Sequence, residues 1–175
     1  MKVIRGKKFI LRPLKMGDAQ SITENANDKM VSRGMGHMPY PYKLKDAEGF
    51  LAEVMKDYKR KKPDHFRLAI EIDGKAVGVI GLHVWQKRES HRAEIGYWIG
   101  KKYWGKGIVS EAVGKVVKCG FDNLKFFRIY AHVVPFNKAS MKVLKKNKFK
   151  FEGILKKNAK KDNKFIDHCL FAKVK

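Results

Sequence analysis

Glu94-Ile95-Gly96-Tyr97-Trp98-Ile99-Gly100-Lys101-Lys102-Tyr103-Trp104-Gly105-Lys106-Gly107-Ile108-Val109-Ser110-Glu111 is the stretch on which the reading of this chain turns. Its opening reads as part of a strand over Arg92 to Ile99. Gly100 to Gly107 is a glycine-punctuated turn, and Ile108, Ala112, Val113, Val116 and Val117 then recur at helical spacing to about Phe121. A strand thus delivers the chain to a loop from which a helix starts at once, leaving the first helical amides without intrahelical partners. Gly105 and Gly107 let the backbone approach a pyrophosphate closely, the helix dipole adds partial positive charge, and Lys102 and Lys106 stand at the rim. The same glycines serve equally well in a turn that is there for steric reasons alone. Ser110 stands where GxGxxG needs its third glycine, and no GKS or GKT occurs, so Rossmann and P-loop nucleotide sites are disfavoured.

Outward from this stretch the pattern is α/β, or α+β. On the N-terminal side, Phe66 to Ile72 and Ala76 to Trp85 flank Asp73-Gly74, a strong hairpin signal, and Lys87 to Ser90 is a polar turn. Earlier still, Phe9 to Leu14 reads as a first strand. A helix capped by Asp18 runs to about Val31, and another capped by Asp46 runs to about Lys62, stopped by Pro63. Between these helices the Gly-, Pro- and aromatic-rich segment Gly34 to Tyr42 is a loop suited to lining a pocket. On the C-terminal side come a strand (Phe127 to Val134), a helix (Asn137 to about Asn147) and two closing strands (Phe149 to Leu155, Phe165 to Ala172) bridged by the basic loop Asn158 to Lys164. The expectation is one domain over residues 1–175, with a mixed, mostly antiparallel sheet of six to seven strands flanked by about four helices.

Composition narrows the function. With 44% hydrophobic residues the chain can bury a core. No apolar run approaches the roughly 20 residues that cross a bilayer, and the basic N-terminus lacks the apolar stretch of a secretory signal. A soluble, cytoplasmic protein with no membrane partner is expected. Cys119 and Cys169 form neither a disulfide framework nor a CxxC site, and no spacing suggests a metal. The 40 Lys and Arg against 17 Asp and Glu give a net charge of +23, which favours polyanionic partners. From Lys138 to Lys164 there are eleven lysines against Glu152 and Asp162. That face suits the 3′-phosphate of a nucleotide cofactor, ribosomal RNA, or solvent alone, and few aromatics interleave it as a stacking platform for single strands would require.

Two ordered motifs make the chain resemble a known family. Lys102-Tyr-Trp-Gly105-Lys-Gly107 follows the phosphate-loop pattern of the GNAT N-acetyltransferases, with Lys in place of the first Gln or Arg. Tyr103 to Ala112 follows the longer YWGKGxxxEA pattern of their RimJ/RimL-like, ribosomal-protein N-terminal acetyltransferase type. Asn137 to Phe149 is similar to the family's NxxSxxxxxxxGF segment, with Lys148 replacing the customary glycine. The opening FILRPL also fits, so the resemblance spans nearly the whole chain.

The resemblance implies a GNAT fold and acetyl transfer from acetyl-CoA, the cosubstrate, to a primary amine within a ternary complex. The acceptor most in keeping with the type is the α-amine of a protein N-terminus, ribosomal proteins included; a polyamine or other small amine, and an inactive RNA- or ribosome-binding module, are the alternatives. It implies that the strand at Tyr97, Trp98 and Ile99 splays from the next one and offers backbone groups to the pantetheine arm. The pyrophosphate would sit on amides from Trp104 through Gly105, Lys106 and Gly107 to Ile108, with Asn137 on the pantetheine and Ser140 near the sulfur. An ammonium has no free lone pair, so a base must take its proton, and Glu94 is the candidate; pairing with Arg92, His91 or another nearby cation is its other reading. Many members place a tyrosine acid seven residues after the asparagine. Here that position is Leu144, which leaves Ser140 as the group at the leaving thiolate, or as a helix-surface residue. His37, Tyr40 and Tyr42 fall in the loop that borders the acceptor in similar proteins, or pack that loop. His83, His132 and His168 read as core or edge histidines, Cys119 lacks an activating partner, and the enzyme would be a monomer or homodimer.

Overall fold

The computed structural model describes residues 3–36, 38–60, 64–84, 91–161 and 163–175. Eight strands form one sheet: β1 (Ile4–Arg5), β2 (Ile10–Arg12), β3 (His65–Ile72), β4 (Lys75–His83), β5 (Arg92–Ile99), β6 (Arg128–Val133), β7 (Lys150–Lys161) and β8 (Lys164–Val174), in the order β1-β2-β3-β4-β5-β6-β8-β7. The helices are α1 (Ala19–Ala26), α2 (Lys29–Arg33), α3 (Leu44–Tyr58), α4 (Ile108–Asp122) and α5 (Lys138–Lys146). All strand pairs are antiparallel except β5 with β6.

The extra strand is β1, whose two residues pair Ile4 with Leu11 and Arg5 with Ile10; it is too short to show a periodicity. The extra helix arises because the expected helix to Val31 is two. Asn27 leaves helical geometry (φ −76°, ψ 57°), and the Asp28 carboxylate accepts from the amides of Met30 and Val31, capping a second helix. Asp18 does not cap α1 with its side chain, because Arg12 holds both its carboxylate oxygens at 2.7 Å. Asp46 lies inside the first turn of α3 and reaches back to the Lys43 amide at 2.8 Å. The Asp73-Gly74 turn has φ of 49° and 76°, as a two-residue hairpin between Ile72 and Lys75 requires. The closing hairpin is longer than expected, since β7 and β8 run through most of the basic segment read as a loop. The second expected helix runs to Tyr58; its expected end at Lys62 and Pro63, the polar turn Lys87 to Ser90 with the rest of 85–90, and His37 lie outside the described residues.

The sheet separates two cores. On one side Ile108, Ala112, Val113, Val116, Val117 and Phe121 of α4 pack with Leu144 of α5 against Ile80, Leu82, Ile95, Ile129 and Phe171. On the other, Ile22 of α1 and Leu51 and Val54 of α3 pack on Ala69, Ala76 and Val79. This covering stops at β5. The parallel ladder ends early as well: it pairs Arg92 with Arg128, Ala93 with Ile129 and Glu94 with Tyr130, whereas β5 continues to Ile99 and β6 to Val133. Beyond Glu94 the two strands part.

Candidate active site

Side chains alternate along β5, so the gap has two differently furnished sides. Tyr97, opposite Ile80, faces α4 and α5, whereas Glu94 and Trp98, opposite His83 and Val79, face the α1 and α3 side. On the helical side the Tyr97 Oη lies 2.9 Å from Ser140 Oγ. Ser140 is placed by Asn137, which caps α5 by accepting from the Ser140 amide at 3.0 Å. The Asn137 carbonyl is therefore committed to the helix, and its Nδ2 amide is what remains for another partner. Burial raises the Tyr97 phenol to about 12, partly offset by the serine hydrogen bond, so it is a neutral hydroxyl near neutral pH.

On the other side Glu94 Oε1 lies 2.9 Å from His132 Nδ1. His132, expected as a core or edge histidine, thus faces a carboxylate; the pairing is hidden in the sequence because the register of parallel strands joined by a long crossover is not written in either strand. Tyr97 was expected to offer only its backbone. The hydroxyl beside Ser140 thus comes from β5, and Leu144, at the family's tyrosine position, is fully buried in the core.

Between β5 and α4 the loop has the required backbone. Gly105 and Gly107 both hold φ of 74°, and a Cβ built on either would meet nothing within 4 Å. Gly107 caps α4 without any side-chain hydrogen bond. The Trp104 amide is spent on the Lys101 carbonyl at 3.0 Å, while its indole donates to the Ile99 carbonyl at 2.9 Å. The amides of Gly105, Lys106 and Gly107 make no backbone hydrogen bond among the described residues. Ile108 begins the helix, and Lys102 and Lys106 rest over the Tyr103 ring at 5.2 and 5.5 Å. This is an open, left-handed, positively charged cradle that fits a diphosphate.

Comparisons with known proteins give the family. An acetyltransferase (GNAT) domain model matches residues 8–150. The chain belongs to the GNAT acetyltransferases. It is 31% identical over 173 residues to the probable N-acetyltransferase YjcK of Bacillus subtilis, covering 97% of this chain and 96% of that one. Among solved structures, Mycobacterium smegmatis RimJ in complex with CoA-disulfide superposes with a TM-score of 0.83 at 26% identity, over 95% of this chain and 81% of RimJ. The spermidine N(1)-acetyltransferase of Escherichia coli is 26% identical over 145 residues, 83% of this chain and 74% of that one. As a GNAT acetyltransferase, the protein is an acetyl-CoA-dependent acyltransferase acting on an amine.

The remaining candidates sort by environment. In this acetyltransferase Tyr42 is buried, its phenol pushed up to about 12 by desolvation, and packs with the α1 and α3 core, whereas Tyr40 is exposed. Lys161, expected to belong to a charged surface, donates to the carbonyls of Ser32 and Met35 at 2.6 and 2.7 Å and so ties the end of β7 to the last turn of α2 and the loop after it. Burial holds the Cys119 thiol above its ordinary range, in its unreactive form. Among the described residues no cluster could hold a metal, and no helix is long and apolar enough to cross a membrane.

Proposed function

We propose that the chain works as one unit over residues 1–175 that acetylates the α-amine of a protein N-terminus, with the donor on the α4 and α5 side of the parted strands and the amine entering from the other. The observation that carries this is the two-sided gap: a hydroxyl pair, Tyr97 and Ser140, on one side, and a carboxylate–imidazole pair, Glu94 and His132, on the other. The residues that would hold acetyl-CoA are the amides of Gly105, Lys106, Gly107 and Ile108 with Lys102 and Lys106 for the diphosphate. For the pantetheine they are the free edge of Tyr97, Trp98 and Ile99, with Asn137 and Ser140. When bound, acetyl-CoA supplies an acetyl thioester activated toward amines. Glu94 and its partner form the end that accepts the amine's proton. Tyr97 and Ser140 present hydroxyl donors where negative charge collects on sulfur.

The run Tyr103 to Ala112, which follows the pattern of the ribosomal-protein N-terminal acetyltransferase type, favours a protein N-terminus as acceptor. A polycation such as spermidine is disfavoured because a protein of net charge +23 repels it at long range. The two free cysteines suit a reducing cytoplasm. A contact with RNA has its own support: Lys138, Lys142, Lys145 and Lys146 recur on one exposed face of α5.

The test begins with acetyl-CoA calorimetry at several salt concentrations beside an unrelated polyanion, followed by a screen of N-terminal peptides, lysine peptides and spermidine. Saturable, salt-resistant binding and transfer to N-terminal peptides are expected. Transfer to spermidine alone rejects the acceptor assignment, and salt-sensitive RNA binding without any turnover rejects the enzyme.

A further inference from the structure

We propose that the proton of the incoming ammonium is taken by Nε2 of His132, with Glu94 acting as the positioning residue that fixes the tautomer of that imidazole; this rests on the amine-acetyltransferase reading above. His132 Nδ1 faces Glu94 Oε1 at 2.9 Å. An ionised carboxylate only accepts, so the proton of the neutral ring sits on Nδ1 and the lone pair on Nε2. Nε2 makes no hydrogen bond to any described residue.

The place is suited to the task. Glu94 is the last β5 residue in the parallel ladder, opposite Tyr130, and His132 lies two residues further along β6, on the same face, where the strands have parted. Tyr130 meets the His132 ring edge-on with centroids 5.4 Å apart, and His168 stacks on it at 5.6 Å. His168 is itself held through Nδ1 by Asn158 Nδ2 at 3.0 Å. The side chains of His132 and Glu94 are 24% and 22% exposed, open enough for an amine and for water.

Among the described residues, the charged and titratable groups around the pair include His83 on β4, Arg92 on β5, Arg128 and Tyr130 on β6, and His168 on β8. His83 directly opposes Glu94, but burial holds it down at about 4 and so takes it out of competition for the proton. An imidazole is intrinsically a stronger base than a carboxylate and so is the better match for an ammonium. In the step the N–H bond breaks with its electron pair left on the amine nitrogen. The proton ends on Nε2, and the imidazolium stays paired with Glu94 until water removes the proton.

Two measurements decide it. Asparagine at 132 keeps a donor in the place of Nδ1 but has nothing in the place of Nε2. With a peptide that the wild type acetylates, His132→Asn is expected to lower kcat about 100- to 10,000-fold while calorimetric acetyl-CoA affinity stays within about twofold. Glu94→Gln is expected to lower kcat by less. Independently of any acceptor, imidazole 15N NMR near neutral pH is expected to show His132 as the Nδ1–H tautomer in the wild type and to show that preference weakened in Glu94→Gln. An Nε2–H tautomer in the wild type overturns the proposal. So does a His132→Asn variant that turns over like wild type while Glu94→Gln does not. A protein that binds no acetyl-CoA or acetylates no amine instead removes the functional reading beneath it.

Discussion

Tyr97 Oη and Ser140 Oγ meet at 2.9 Å across the gap between β5 and α5, on the sheet face opposite the Glu94–His132 pair. With the phenol raised to about 12, moving its proton to a thiolate whose ordinary value is near 8.5 runs uphill by on the order of 5 kcal/mol. In the proposed reaction the pair would therefore serve by hydrogen bonding to developing charge and not by full proton donation.

Ser140→Ala and Tyr97→Phe should each lower kcat about 10- to 100-fold, the range for a hydrogen bond to a charged group, and leave acetyl-CoA affinity within about threefold. Because the two hydroxyls form one bonded unit, the double variant should lose little more than the worse single one. Turnover and calorimetric affinity of the four proteins test this. Unchanged turnover in Ser140→Ala rejects the role, and strictly additive losses separate the two hydroxyls.

Gly107 combines a φ of 74° with empty space where a Cβ would stand. Alanine there costs backbone strain of about 1–2 kcal/mol without a clash, read as a lower unfolding midpoint. Gly107→Glu adds a negative charge inside the cradle, and acetyl-CoA affinity should fall more than about 100-fold. Equal affinity for Gly107→Glu and wild type in calorimetry moves the diphosphate elsewhere.

What the sequence disclosed and what it withheld divide along one line. The Asp73-Gly74 hairpin, the glycine turn and α4 are local features, set by turn chemistry and helical period, and they were legible. So was the GNAT family, carried by Tyr103 to Ala112 and Asn137 to Phe149. The break at Asn27 was hidden because Asp28 outcompetes helix continuation only through its own cap. The Glu94–His132 contact spans 38 residues and depends on where a parallel ladder stops. Lys161 looked like ten other lysines in its segment until the fold brought three carbonyls to it.

Arg12 ties the N-terminal strand to α1. Its guanidinium meets both oxygens of Asp18 at 2.7 Å and also bonds Glu71, with side-chain exposures of 11%, 3% and 17% for Arg12, Asp18 and Glu71. Arg12→Ala strands the Asp18 carboxylate in a nearly dry site, and the expected loss is about 3–5 kcal/mol by urea unfolding. Replacing the whole triad with apolar residues should cost less than the single change, because no charge is then left uncompensated. A loss below about 1 kcal/mol for Arg12→Ala contradicts this account.

His83 gives stability a defined acid limb. Its imidazole is held at about 4 by burial first, then by Arg67 and His65, against an ordinary 6.5, while Glu94 and Asp57 pull the other way. The unfolded chain therefore binds this proton more readily than the native one between those values. The stabilisation is whole above about pH 6.5 and is lost as pH falls toward about 4, up to on the order of 3 kcal/mol. His65, whose Nδ1 lies 3.2 Å from that of His83, is lowered in the same direction and steepens the same limb. Urea midpoints across this pH window should fall for the wild type and fall clearly less for His83→Gln. Parallel curves for the two proteins place the acid sensitivity on another group.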